Sequence, residues 1–149
     1  MDKQIENAMN KLINTEIWSS NLYLAMQVFF ERNGFPVLSS WLQLQSRGNM
    51  ERVHAIMHLL YHQGGTTDIA PQEGHMPEWR NSTEALNRLV EQEQNVQRDV
   101  KSFLFAVHYL DRDLYTSIRH LYDDRPYIGN ILLELMHILA EESQRRLPE

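Results

Sequence analysis

The sequence predicts an all-α protein, a four-helix bundle with one long crossover connection, occupying residues 1–149 as a single domain. Three observations predict it. The 149 residues include only six glycines and five prolines, clustered so that they divide the chain into long uninterrupted segments. Within those segments apolar residues recur every three or four positions, the helical period. The connections run short, long, short, which is the order of a bundle with a single crossover.

Each element follows in turn. The first helix spans residues 3–33, with Ile5, Ala8, Met9, Leu12, Met26 and Phe30 on its apolar stripe, and Asn33-Gly34 stops it. Pro36 suits the first turn of a second helix, which runs to about residue 63 and ends at Gly64-Gly65. Residues 66–80 carry two prolines, one glycine and no periodicity, so they form the crossover. Asn81-Ser82-Thr83-Glu84 is a capping signature that opens a third helix, ending near Tyr109. Asp111-Arg112-Asp113 is a short turn. The fourth helix runs from about Leu114 to Arg146 and contains Pro126 and Gly129. An interior proline costs a helix about 3 kcal/mol, so a kink or a break is expected there.

Composition narrows the function. Hydrophobic residues make up 42% of the chain, enough for a core, and 20 acidic residues against 14 basic give a net charge of −6. That balance argues against nucleic acid and against anionic membranes as partners, since both select basic surfaces. No apolar run reaches the roughly 18 residues of a membrane span, and the polar start at Met1–Asn10 does not resemble a secretory signal; a cytoplasmic protein is expected. There is no cysteine, so disulfides, thiolate metal sites and cysteine nucleophiles are excluded. Any metal falls to carboxylates and the seven histidines.

Bundles of this shape hold paired irons with a glutamate from each of two helices and a Glu-x-x-His from each of the others. Two such motifs occur, Glu51-Arg52-Val53-His54 and Glu134-Leu135-Met136-His137. Their phase is wrong. At about 100° per residue the second helix buries Leu38, Leu42, Val53, Ile56 and Leu60, with Asn49 in mid-stripe and Arg52 at its edge, while Glu51 and His54 point away. The fourth helix buries Ile128, Ile131, Leu132, Leu135 and Leu139, leaving Glu134 and His137 off the stripe. Glu16 and Glu93, in contrast, sit in mid-stripe on the first and third helices. A carboxylate there is costly unless paired or metal-bound, and the inward cation nearest to hand is Arg52. The expectation is a buried Glu16–Arg52–Glu93 cluster with Asn49 bonded to it, the guanidinium supplying the charge that a metal would otherwise bring.

Thr15 through Leu24, reading Thr-Glu-Ile-Trp-Ser-Ser-Asn-Leu-Tyr-Leu, resembles the first helix of prokaryotic non-haem ferritins. Trp41 through Ser46, Met50 and Gly64-Gly65-Thr66 resemble their second helix and its end, and Glu91-Gln92-Glu93 resembles their third. The resemblance implies a ferritin-like bundle. Glu16 and Glu93 match the family's iron-ligating glutamates, and Tyr23 matches the tyrosine near the centre. Where the family has Glu-Glu-Met-x-His, this chain has Gly48-Asn49-Met50-Glu51-Arg52, so Asn49 replaces a bridging glutamate and Arg52 a histidine. The family's Glu-Gln-x-x-Glu falls on Arg125-Pro126-Tyr127-Ile128-Gly129 and is not kept. The ferroxidase centre therefore reads as degenerate.

The resemblance implies an iron-storage or cage-forming subunit that has lost ferroxidase catalysis, with iron as the metal concerned. It further implies a homo-oligomer, or co-assembly with an active ferritin subunit. Two alternatives stand beside it: an active di-iron carboxylate protein using Glu16, Glu93 and a shifted ligand set, and a metal-free helical scaffold. The short fifth helix of related ferritins is expected to be absent, since the chain reaches Leu147-Pro148-Glu149 directly after the fourth. A further metal candidate is the off-core stripe of Glu51, His54, His58 and His62. Phe103, Phe105 and Met57 are expected to pack in a core or an interface.

Overall fold

The computed structural model describes residues 1–72, 78–123 and 128–146. Five helices form, α1 (Lys3–Arg32), α2 (Pro36–His62), α3 (Ser82–Val107), α4 (Arg112–Tyr122) and α5 (Ile128–Arg146), with no strand among the described residues. The expected fourth helix is thus broken into α4 and α5. Pro126 and its neighbours 124–127 lie outside the described residues, and the helix stops short of them, at Tyr122. No separate helix follows α5 among the described residues.

Helix ends follow local chemistry. Asp2, Asn81 and Asp111 each precede a helix and accept a hydrogen bond from the backbone N–H three residues on, at 3.0, 2.9 and 3.0 Å. The N-terminus of α2 has no such cap of its own. Glu142 of α5 provides one from across the bundle, its buried carboxylate accepting from the Val37 and Leu38 N–H groups. A carboxylate placed there also meets the positive end of the helix dipole. At the other end of α2, Gly64 adopts φ +73°, and a Cβ on Gly65 would lie 2.6 Å from Met1 Sδ and 2.8 Å from Leu60 Cδ2. Only glycines fit this ending.

The core comes in two apolar halves. One joins Met9, Leu12 and Ile13 of α1 to Val53, Ile56 and Leu60 of α2, Val100 and Phe103 of α3, and Leu114 and Ile118 of α4. The other joins Leu22, Met26 and Phe30 of α1 to Leu38 and Leu42 of α2, Leu86 and Leu89 of α3, and Ile131 and Leu135 of α5. Cluster membership orders the chain: α1 rises from the first half to the second, α2 descends, α3 also descends, and α4 with α5 rises again. The crossover must therefore climb the whole bundle. Phe105 departs from the packing expected of it, standing 88% exposed on α3.

Two attachments hold the crossover. At its foot, Glu6, Asn10 and Asn14 of α1 bond the backbone of Thr66, Asp68 and Ala70. The Glu6 carboxylate accepts from Thr66 N–H at 3.2 Å, Asn10 accepts from Asp68 N–H at 2.7 Å, and Asn14 accepts from Ala70 N–H at 2.8 Å. The two asparagine amides return bonds to the Thr66 and Asp68 carbonyls, both at 2.9 Å. The register works because four helical residues rise about 6.0 Å while two extended residues span about 6.6 Å. At its head, Trp79 packs edge-on against Phe29, with centroids 5.8 Å apart.

Candidate functional site

Between the two apolar halves lies a polar layer, contributed by Glu16, Ser19 and Ser20 of α1, Ser46, Asn49 and Arg52 of α2, and Gln92 and Glu93 of α3. Helical spacing brings these residues to the interior. Glu16 lies four residues from both Leu12 and Ser20, and Glu93 four from Leu89 and three from Val96, so each continues a buried stripe. Glu16 is fully buried, and Asn49 and Glu93 are 1% and 2% exposed.

The layer is bonded internally. Arg52 Nε donates to Glu16 Oε2 at 3.1 Å, and Arg52 Nη2 donates to Asn49 Oδ1 at 3.2 Å. Asn49 Nδ2 donates to the Glu16 carbonyl at 3.5 Å. Tyr122 closes the group from the last turn of α4, its hydroxyl donating to Glu16 Oε1 at 3.1 Å and its ring lying 5.7 Å from the Arg52 guanidinium carbon. Glu93 accepts a hydrogen bond from Tyr23. Beside these, Gln92 donates to Ser19 at 2.9 Å, and the Ser20 and Ser46 hydroxyls meet at 2.8 Å, where small side chains let α1 and α2 approach.

The Arg52–Glu16 pair and the Asn49 bond of the expected cluster are therefore present, and Glu93 is met by the Tyr23 phenol. The sequence reading missed Tyr122. A signal was available, because Leu114, Ile118 and Tyr122 fall four apart on one face of α4. The same holds for Glu142, which continues the buried stripe of Ile131 and Leu135.

The other metal candidates lie at the surface. Glu51, His54, Glu134 and His137 are exposed, as their phase requires, and His137 Nε2 pairs with Glu141 Oε1 at 3.2 Å. His58 and His62 come together, their Nε2 atoms 2.9 Å apart. Among the described residues no three His, Asp or Glu side chains converge as metal ligands. The stretch where a fourth-helix ligand motif would fall begins at 125–127, outside the described residues.

Residues 6–121 match the family model of the ferritin-like domain. The chain belongs to the ferritin-like family. A bacterial non-heme ferritin of Bacteroides fragilis is 30% identical over 104 residues, covering 70% of this chain and 65% of that protein; the match thus spans just under two thirds of the relative. A bacterial non-heme ferritin-like protein of Haemophilus influenzae is 21% identical over 136 residues, covering 79% of this chain and 82% of that one. Among solved structures, an open pore ferritin from Archaeoglobus fulgidus superposes with a TM-score of 0.82 at 20% identity, covering 100% of this chain and 98% of that one. Among the described residues no helix is long and apolar enough to cross a membrane.

Proposed function

We propose that this chain is a ferritin-type subunit that serves iron storage without oxidising ferrous iron inside its own bundle. Iron here is cargo, not a resident cofactor. One observation carries the reading: Arg52 brings a fixed cation to 3.1 Å from the carboxylate of Glu16, the residue that the resemblance matches to an iron ligand. A guanidinium stays charged at every physiological pH and has no lone pair to offer a metal. Its charge satisfies the carboxylate that would otherwise attract a cation, and repels a second cation at the same spot. Asn49, bonded to Arg52, supplies a neutral amide where a bridging ligand would need charge. Glu16 and Glu93, kept from the family's ligand set, hold the bundle together in this reading.

On this reading the chain works in the cytoplasm as part of a cage, built of its own copies or shared with an active ferritin subunit, as its resemblance to ferritins supports. Stopped-flow oxidation of ferrous iron tests the proposal. The unmodified protein should oxidise iron no faster than buffer alone. The Asn49→Glu, Arg52→His double variant, which restores a carboxylate and an imidazole beside Glu16, should bind ferrous iron within the bundle in an anaerobic titration. Rapid oxidation of two irons per unmodified chain would overturn the reading.

A further inference from the structure

His58 and His62 stand four residues apart on the exposed face of α2, so their side chains project one above the other. Their rings meet nearly edge to face, centroids 4.2 Å apart and planes at 85°. The two Nε2 atoms are 2.9 Å apart. We propose that this pair is a bidentate site for a divalent transition cation of tetragonal preference, copper(II) or nickel(II), with water in the remaining positions.

The separation matches a square arrangement better than a tetrahedral one. Two nitrogens each about 2.0–2.1 Å from one ion and at a right angle lie about 2.9 Å apart, whereas a tetrahedral angle separates them by about 3.3 Å. The pair holds its Nε2 atoms at the separation of two adjacent corners of a square, and a rotation of the donor ring about its own side-chain bonds turns both lone pairs onto one ion. In the metal-free protein one Nε2–H donates to the lone pair of the other. Moving that proton to Nδ1 of its own ring leaves both Nε2 lone pairs for the metal, with no net change in ring charge. His54, one turn earlier on the same face, is not bonded to the pair among the described residues. The site lies on the helix surface, separate from the Glu16–Arg52 layer, and does not depend on whether that layer handles iron.

Titration with copper(II), followed by calorimetry and by electron paramagnetic resonance, tests this. One copper per chain should bind with a tetragonal spectrum split by two imidazole nitrogens. His58→Ala and His62→Ala should each lose that site and spectrum. His54→Ala and His137→Ala should keep both. All four positions are exposed, so these variants fold. A spectrum carrying one nitrogen, or copper binding that survives the His58→Ala, His62→Ala double variant, would overturn the proposal.

Discussion

Asn14 and Glu16 are two residues apart on α1, about 200° around the helix, and they meet opposite fates. Glu16 faces inward, is fully buried, and answers to Arg52 and Tyr122. Asn14 faces outward and bonds the backbone of the crossover at Asp68 and Ala70. Both are polar side chains making two or more bonds across long sequence separations. The difference lies in what happens when a bond is lost. Outside, water replaces the partner. Inside, nothing does, so the same chemistry that costs little to lose on the ladder of Glu6, Asn10 and Asn14 along the crossover governs the polar layer.

The sharpest way to break this comparison is to remove one charge from the layer. Arg52→Met should destabilise the protein by about 3–5 kcal/mol, because it strands the Glu16 carboxylate in a desolvated core. Removing both charges, as Glu16→Leu with Arg52→Met, should recover most of that loss, since an apolar pair of similar size is often as stable as a buried ion pair. Chemical denaturation of the three proteins reads both effects. If the single and double variants lose equal stability, the pair is not acting as a unit and the contrast with the ladder fails.

This contrast also explains what could be read from the sequence. The bundle, its boundaries and the inward positions of Glu16, Asn49 and Glu93 follow from helical period, because burial on a helix depends on phase alone. The kink or break expected at Pro126 rests on another local rule, the cost of an interior proline, and α4 ends ahead of it at Tyr122. Arg52 could be paired with Glu16 because a charge on an apolar stripe demands a partner. Tyr122 and Glu142 escaped because their partners come from other helices, Glu16 and the α2 terminus, and a single stripe does not reveal which neighbour it faces. The ladder escaped for a different reason. Glu6, Asn10 and Asn14 look like an ordinary solvated face until an extended segment with matching rise lies beside them, and nothing local in Thr66–Ala70 announces that path. The His58–His62 contact was legible as spacing, while the separate placement of His54 needed side-chain conformation.

A smaller perturbation sharpens the outer half of the comparison. Asn14→Ala removes one amide that both donates to Asp68 and accepts from Ala70, and should cost about 1 kcal/mol, near the net worth of a single exposed-to-water exchange of hydrogen bonds. The loss should stay local. Hydrogen exchange at the Ala70 amide should accelerate severalfold, while amides near Leu60 and Ile56, in the apolar half beneath, keep their protection. Uniform acceleration across α2 would mean that the ladder supports the core and is not merely laid on it.

The smallest effect belongs to the first rung, and it depends on pH. The Lys3 ammonium, 3.0 Å away, and then the Thr66 N–H hold the Glu6 carboxyl below the usual carboxylate range. A depressed folded-state pKa means that the charged form is favoured by folding. Its contribution is complete above the unfolded value, about 4.3, and is lost as pH falls through the lower folded value. Glu6→Gln should therefore leave the crossover slightly weaker at pH 7 and indistinguishable from the unmodified protein once both are well into the acid range. Denaturation midpoints measured from pH 7 downward should converge. The Lys3 part of the difference is also screened, because that ion pair is exposed, so raising the salt should narrow the gap at pH 7. A gap that persists unchanged in acid would place the effect of Glu6 in its packing against Gly65, where its carboxylate lies 3.2 Å from the position a Cβ would take, and not in its charge.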